Sequence, residues 1–275
     1  MTIGLLTRLE SGAMDHKLKQ LADNGFDNCQ LVSWSPADWT DENAKEVITA
    51  ADKYKITITG FWCGWEGPVS WNFYEGQENL GLVPPTYRYV RMKNLMAGAD
   101  FAKKMGITDV ISHMGYIPEN PYDPNYSGFI VAMKTVANYL KKQGQYLLFE
   151  TGQETPVTLL RTFEDIGTDN LGVNLDTGNL ICYGKANPVD SLDVIGKYVR
   201  NIHAKDCLYP TNGRNLGREV ELGQGKANFP AFLKKLKEIV YTGPITIERE
   251  IKDDKDAFAA ILKSRDFLDN IRTSL

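Results

Sequence analysis

The chain has 275 residues, 43% of them hydrophobic, and a formal net charge of −4. These values suit one large domain over residues 1–275, and they argue against a nucleic-acid partner, which usually binds a basic face. No apolar run reaches the ~18 residues of a membrane helix, and the N-terminus lacks a signal-peptide pattern. We therefore expect no membrane partner and a cytoplasmic location.

Eight short, apolar, β-rich segments recur along the chain. The predicted strands are Ile3–Arg8, Asp27–Ser33, Ile56–Trp62, Asp109–His113, Tyr146–Thr151, Gly172–Asp176, Arg200–Lys205 and Ile245–Glu250. Between them, apolar residues spaced three or four apart predict helices. Because parallel neighbouring strands need a crossover connection, this alternation predicts parallel βα units. The GxGxxG signal of an open nucleotide-binding sheet is absent, so we predict a single closed (β/α)8 TIM barrel.

Two connections are too long to be simple turns. Residues Cys63–Pro85 follow the third predicted strand and are rich in aromatic residues, and residues Cys207–Asn228 follow the seventh and are rich in glycine. Long loops in a compact domain usually carry function, and both follow strand C-termini, which form the catalytic face of a barrel. The four cysteines, Cys29, Cys63, Cys182 and Cys207, are scattered and are expected to be reduced thiols.

Four residues with metal-ligand chemistry end the last four predicted strands. Glu150, Asp176, His203 and Glu248 close the segments LLFE, VNLD, NIH and ITIE. Any one of these acids alone would more often pair with a basic neighbour. At four consecutive strand ends they can converge at the barrel mouth, where unpaired charge is costly and a divalent cation would neutralise it. Three carboxylates and one imidazole suit Mn²⁺, Mg²⁺ or Co²⁺ better than a structural zinc site, although Zn²⁺ stays open.

The segments FETGQE, NLDTGN, IHAKD and GPITIERE resemble the signatures of the xylose isomerase-like barrel superfamily. Within it they most resemble the sugar phosphate isomerase/epimerase group, which includes the ketose 3-epimerases, and GREVELGQGKANFPAFL fits that group's loop after strand seven. GFDNCQLVSW fits too, except that Gln30 stands where the group often has Glu. The likeness spans most of the chain and is strongest from Phe149 onward.

This resemblance implies that Glu150, Asp176, His203 and Glu248 bind one divalent metal ion, most often Mn²⁺. It also implies that Glu150 and Glu248 are the acid/base pair on opposite faces of a carbohydrate substrate. The chemistry agrees, because a metal that polarises a carbonyl eases loss of the neighbouring proton, which two carboxylates can remove and return. The expected activity is that of a sugar isomerase or epimerase.

Seven further residues are candidates for substrate contact. His113 ends strand four, and Trp62 with Trp65 could form an apolar wall against one sugar face. Lys205 shares a strand face with His203 and could orient Asp176 or bind a hydroxyl. Glu154, Asn179 and Arg218 complete the set. Asn179 stands where ketose 3-epimerases often carry histidine, and Arg218 resembles the group's loop arginine. Structural packing or a plain salt bridge is the alternative for each.

Several alternatives stay open. A lyase of the inosose dehydratase type would use the same metal and bases, and a barrel could bind sugars without turnover. An apurinic endonuclease would need a multi-zinc cluster with many histidines, whereas the chain has three. The loop Gly223-Gln224-Gly225-Lys226 is a weak candidate nest for a substrate phosphate. The run Tyr87–Arg91 is expected to be a solvated helix face or a contact in a homodimer or homotetramer.

Overall fold

A computed structural model describes residues 1–251 and 256–275, and eight parallel strands form a closed barrel within them. The barrel strands are β1 (Thr2–Arg8), β2 (Asn28–Ser33), β3 (Thr57–Cys63), β4 (Asp109–Ser112), β5 (Tyr146–Glu150), β6 (Leu171–Asp176), β7 (Val199–Ala204) and β10 (Pro244–Ile247). Their order around the barrel is β1-β10-β7-β6-β5-β4-β3-β2, and every neighbouring pair is parallel. The predicted (β/α)8 barrel is confirmed, and all eight predicted strands are present.

Helices connect the barrel strands and surround them. They are α1 (Met14–Asp23), α2 (Asp41–Tyr54), α3 (Gly76–Asn79), α4 (Pro85–Lys104), α5 (Pro124–Lys141), α6 (Pro156–Ile166), α7 (Thr177–Cys182), α8 (Pro188–Ile195), α9 (Phe229–Glu238) and α10 (Ala257–Ser274). Two short 3₁₀ turns lie at Pro36–Asp38 and Gly196–Tyr198. None of the helices in the described part of the chain has the length and apolar character needed to cross a membrane.

Local sequence signals explain where several of these helices begin. Thr155 and Asn187 each precede a proline, and their side chains accept hydrogen bonds from the free backbone N–H groups at the starts of α6 and α8. Proline at the first helical position loses no hydrogen bond there. Because α6 starts six residues after Glu150, this cap keeps the connection that follows β5 short.

The main core lies between the outer face of the barrel and the helices. Phe61 on β3 packs edge-on against Phe101 on α4, with ring centroids 5.4 Å apart, and Phe149 on β5 packs likewise against Phe163 on α6 at 5.1 Å. Burying one such ring contributes roughly 1.5–3 kcal/mol. The regularity of this packing makes the strand ends rigid supports for the side chains at the barrel mouth.

The two long connections contain structure of their own. The segment after β3 includes α3, and the segment after β7 forms a small antiparallel hairpin of β8 (Asp206–Leu208) and β9 (Arg218–Val220). The guanidinium of Arg91 is fully buried beneath the segment that follows β3. It fixes the path of this segment by donating hydrogen bonds to four backbone carbonyls, those of Glu66, Pro68, Asn79 and Gly81. The prediction of a solvated face for the run Tyr87–Arg91 is therefore wrong for Arg91, although Tyr89 and Val90 are exposed.

The expectation that all four cysteines are reduced thiols is also wrong. Cys182, at the end of α7, forms a disulfide with Cys207 on β8, and their Cα atoms are 5.6 Å apart. Cys29 and Cys63 are free and buried. The pairing depends on how the two connections cross at the barrel mouth, and the spacing of 25 residues gives no sign of it.

Candidate active site

Four side chains with metal-ligand chemistry meet at the C-terminal mouth of the barrel. Glu150 and Asp176 are the last residues of β5 and β6, His203 is the fifth residue of β7, and Glu248 directly follows β10. One ligand atom from each lies within 4.8 Å of the others. The structure thus brings together all four residues that the sequence singles out as metal ligands.

The three carboxylates of this set surround the Nδ1 atom of His203. This atom lies 2.9 Å from Glu150 Oε1, 2.9 Å from Glu248 Oε2 and 3.8 Å from Asp176 Oδ2. Asp176 Oδ1 accepts the backbone N–H of Asn179, so its other oxygen remains available. Asp176 Oδ2 is buried and accepts no hydrogen bond from the described residues. A buried carboxylate oxygen without a hydrogen bond is costly, even with an ammonium group 3.4 Å away. The set of three carboxylates and one imidazole fits a hard divalent cation.

The charges of this cluster perturb the pKa values of its members. Burial lowers the pKa of His203, but the negative charges of Glu248 and Glu150 outweigh burial and hold that pKa well above its ordinary value. Burial raises the pKa of Asp176, and repulsion from Glu248 and Glu150 adds to the effect, so its pKa lies well above the usual range. Asp176 must lose its proton and His203 the proton on Nδ1 before they can bind a metal, so metal affinity should increase with pH.

Lys205 supplies the fixed positive charge of the site. Its Nζ lies 3.0 Å from Glu248 Oε2, 3.4 Å from Asp176 Oδ2 and 2.8 Å from Glu250 Oε2. Burial raises the pKa of Glu248, but Lys205 and His203 together hold it well below its ordinary value. Gly178 lets helix α7 pack closely against the Lys205 side chain, because a Cβ atom at residue 178 would lie only 2.6 Å from Lys205 Cγ. Lys205 therefore keeps Glu248 ionised.

A cavity of about 620 Å³ opens above this cluster. Its lining includes the indoles of Trp34, Trp62 and Trp71 and the carboxylates of Glu219 and Glu250. Trp34 touches both other indoles, with ring centroids 4.8 Å from Trp62 and 6.2 Å from Trp71. A lining that combines clustered indole rings with carboxylates matches a sugar, which has an apolar ring face and hydroxyl edges. The volume is within the range of small-molecule pockets.

Four of the seven predicted substrate residues line this cavity: His113, Trp62, Asn179 and Lys205. His113 Nε2 is 3.5 Å from Glu150 Oε2, and burial lowers the pKa of His113, which favours its neutral form. Trp62 Nε1 donates a hydrogen bond to the same Glu150 oxygen. Glu150 is therefore oriented by an indole and approached by an imidazole, while its Oε1 faces His203.

The other three predicted residues lie outside the cavity lining. Trp65 is buried and packs behind the aromatic wall, with its ring centroid 6.0 Å from Trp62 and its face towards the Arg91 guanidinium. Glu154 is buried beyond β5, and burial raises its pKa to about 8. Arg218 is exposed on β9, while its neighbour Glu219 faces the cavity. Side chains alternate along a strand, so only one of these two neighbours can point inward.

Asp206 holds the glycine-rich loop after β7. Its Oδ2 accepts the N–H groups of Gly223 and Gly225, and its Oδ1 accepts those of Cys207 and Ala227. A Cβ at residue 225 would lie 2.1 Å from Asp206 Oδ1, so this close approach requires glycine. The loop predicted as a weak phosphate nest therefore already binds a carboxylate of the chain itself.

Several residues that line the cavity were not predicted from the sequence. Trp34 directly follows β2, and its position at a strand C-terminus could have marked it. Glu219 could have been found from the alternation along β9, had that strand been recognised. Trp71 and Glu250 lie in irregular segments, and their approach to the cavity depends on the loop paths.

Comparison with known proteins gives consistent results. A family model described as xylose isomerase-like TIM barrel matches residues 18–271. The crystal structure of a xylose isomerase domain protein from Planctomyces limnophilus is 31% identical and superposes with a TM-score of 0.91, covering 99% of this chain and 98% of that one. A probable L-ribulose-5-phosphate 3-epimerase, UlaE, of Mycoplasma pneumoniae is 31% identical over 160 residues, which are 56% of this chain and 50% of that protein. A D-tagatose 3-epimerase-like protein shares the fold, with 23% identity, a TM-score of 0.73 and coverage of 98% of this chain and 99% of that one.

Proposed function

The chain belongs to the xylose isomerase-like TIM barrel family, and from that premise we propose that it is a divalent-metal-dependent sugar isomerase or epimerase. The observation that carries the proposal is the convergence of Glu150, Asp176, His203 and Glu248 at the base of an amphipathic cavity. The match to a probable pentulose-phosphate epimerase over about half the chain supports the same class of reaction.

The four residues would hold one Mn²⁺, Mg²⁺ or Co²⁺ ion, and the buried Asp176 Oδ2, which accepts no hydrogen bond from the described residues, supports this fit. Such an ion would polarise the carbonyl and hydroxyl oxygens of a hydroxyketone and so acidify the carbon-bound proton between them. The remaining steps belong to the protein's own side chains. These are proton transfers, for which Glu150 and Glu248 are the candidates.

One of the two glutamates removes the proton next to the carbonyl, and the electron pair of the broken C–H bond moves towards the carbonyl oxygen. The other, which must carry a proton when the substrate binds, gives it to the opposite face and inverts that carbon; return of a proton to the neighbouring carbon would isomerise the sugar instead. Trp62 and His113 orient the Glu150 carboxylate, and Lys205 keeps Glu248 ionised. The indole wall excludes water on one side of the substrate.

Proton exchange tests this proposal. The purified protein with Mn²⁺ is incubated in D₂O with a panel of ketoses, keto acids and inososes, and deuterium incorporation is followed by NMR. We expect deuterium next to a carbonyl in one substrate class, and its loss in Glu150→Gln and Glu248→Gln. Glu164→Gln, on the outer surface of α6, is the matched control and should exchange at the wild-type rate.

The outcome also separates the alternatives. Exchange that survives in a glutamate variant removes that residue from the pair, and exchange that survives complete chelation refutes the metal site. A dehydrated product instead of an isomer would indicate a lyase of the inosose dehydratase type, which shares the first proton transfer. An apurinic endonuclease is disfavoured, because of the three histidines only His203 belongs to the ligand cluster, while His113 lines the cavity and His16 is on α1.

A further inference from the structure

The second nitrogen of His203 makes a contact that the proposed chemistry does not use. While Nδ1 faces the three carboxylates, Nε2 points into the barrel and lies 2.6 Å from Oε1 of Gln30. Both residues have no exposed surface. Gln30 is on β2 and His203 on β7, and β1 and β10 separate these strands, so the hydrogen bond crosses the barrel interior.

A third residue orients the Gln30 amide. Gln30 Nε2 donates to Oδ1 of Asn174 on β6, at 3.3 Å, which leaves Gln30 Oε1 facing His203. An oxygen can only accept a hydrogen bond, so this orientation requires a proton on His203 Nε2. A neutral imidazole carries one proton, and with that proton on Nε2 the lone pair lies on Nδ1.

We propose that Gln30 is a positioning residue for the metal site: it holds the proton of His203 on Nε2 and thereby presents Nδ1 as the metal ligand. The inference rests on the proposed function, because it concerns the same ion. Its basis is the cross-barrel geometry, in which Nδ1 alone of the two nitrogens lies among Glu150, Asp176 and Glu248. Partners that orient a metal-binding histidine in this way commonly change metal affinity by about 10- to 100-fold.

The neutral amide also suits the charge of this particular site. A divalent ion would offset two of the three negative charges of the carboxylate ligands, and Lys205, which also contacts Glu250, would offset the third only in part. A carboxylate at position 30 would add a negative charge that nothing in this balance offsets. A carboxylate would also accept a stronger hydrogen bond from His203 Nε2 than the amide does, and this would make Nδ1 a more basic and better metal ligand. Gln30→Glu should therefore bind metal more tightly but fold less stably without it.

The barrel can accept that substitution. Asn174 Nδ2 is buried and has no hydrogen-bond partner among the residues described. A half-turn of the Asn174 amide would direct this N–H group at a carboxylate on residue 30 in place of the present oxygen. Gln30→Glu is thus a conservative variant with a donor already beside it, whereas Gln30→Met keeps the side-chain volume and removes the acceptor.

Two measurements test the inference, and both use the full-length protein. The first is the dissociation constant for Mn²⁺, by calorimetry, in wild type, Gln30→Met, Gln30→Glu and the control Gln145→Met. Gln145 is an equally buried glutamine that donates to the carbonyls of Ala99 and Ile107, far from the cavity. The loss of these two hydrogen bonds in Gln145→Met should destabilise the fold without altering the metal site.

The second measurement is the protonation state of His203 by ¹⁵N-¹H NMR of the Mg²⁺-loaded protein. The chain contains only three histidines, so the His203 signals can be assigned with His16→Asn and His113→Asn. We expect the proton on Nε2 in wild type, Mn²⁺ binding weakened about 10- to 100-fold in Gln30→Met, and affinity at or above the wild-type value in Gln30→Glu.

A proton on Nδ1, or Mn²⁺ binding by Gln30→Met that equals wild type, overturns the inference and leaves the proposed function standing. Equal weakening in Gln30→Met and Gln145→Met also overturns it, because the effect would then be one of general stability. Wild-type protein that binds no divalent ion overturns the proposed function and the inference together.

Discussion

Replacing Lys205 by methionine tests whether this lysine balances the charge of the carboxylates. Its ammonium group lies within 3.4 Å of Asp176, Glu248 and Glu250, and the residue is 3% exposed. Methionine keeps most of the volume and removes the charge. Breaking a buried ion pair by removing one partner typically costs 3–5 kcal/mol, so we expect the metal-free variant to lose about that much stability. For a chain of this size the melting temperature should fall by about 6 to 20 °C.

The loss should grow as the pH rises. Burial, with repulsion from Glu248 and Glu150, already raises the pKa of Asp176, and Lys205 opposes this shift. Without Lys205 the pKa of Asp176 in the folded state rises further above its unfolded value. An acid whose pKa is raised by folding makes the folded state less stable as the pH increases, because the folded state then binds more protons than the unfolded one. The variant should be least affected near pH 5 and most affected near pH 8.5.

Urea unfolding of the chelated protein, measured between those two pH values, gives the free energies. Lys104→Met is the control, because Lys104 forms an exposed pair with Asp41 that should contribute no more than about 1 kcal/mol. Saturating Mn²⁺ should restore much of the stability of Lys205→Met. The reasoning is refuted if Lys205→Met is as stable as Lys104→Met, or if its deficit does not change with pH.

Three further predictions follow from single contacts. Trp62→Phe removes the hydrogen bond to Glu150 and should reduce kcat/KM about 10- to 100-fold without a matching loss of Mn²⁺ affinity; an unchanged kcat/KM would contradict an orienting role. Asp206→Ala leaves four backbone N–H groups without their acceptor, and hydrogen exchange in the glycine-rich loop should accelerate while the barrel strands stay protected. Thiol titration of the denatured, unreduced protein should find two free cysteines and, after reduction, four; finding four at the outset would exclude the bond between Cys182 and Cys207.

Much of the fold was predictable because its signals are local. A buried parallel strand is a short apolar run, and an outer helix repeats its apolar residues every three or four positions, so both patterns are visible in a few residues. Glu150, Asp176 and His203 could be assigned to one site for the same reason: each lies at or next to the C-terminus of a strand, and parallel strands bring their C-termini to one face. Glu248 was assigned similarly, although β10 ends one residue before it.

The orientation of residues in the connections could not be predicted in this way. Arg218 was expected at the substrate, yet its neighbour Glu219 faces the cavity, because the hairpin of β8 and β9 sets which side chain points inward. The glycine-rich loop was considered for a phosphate, yet the carboxylate of Asp206 fills it. These outcomes depend on how a loop folds back on the barrel, for which no periodic pattern exists.

Local spacing along single strands and helices is therefore enough to predict the barrel, the face on which the site lies and the ligand chemistry gathered there. The contact of Gln30 with His203, the bond between Cys182 and Cys207 and the sharing of Lys205 by three carboxylates could be read only from the folded chain. Each of these contacts joins residues from different strands or connections. Barrel closure and loop path set their distances, and neither is encoded in any short stretch of the chain.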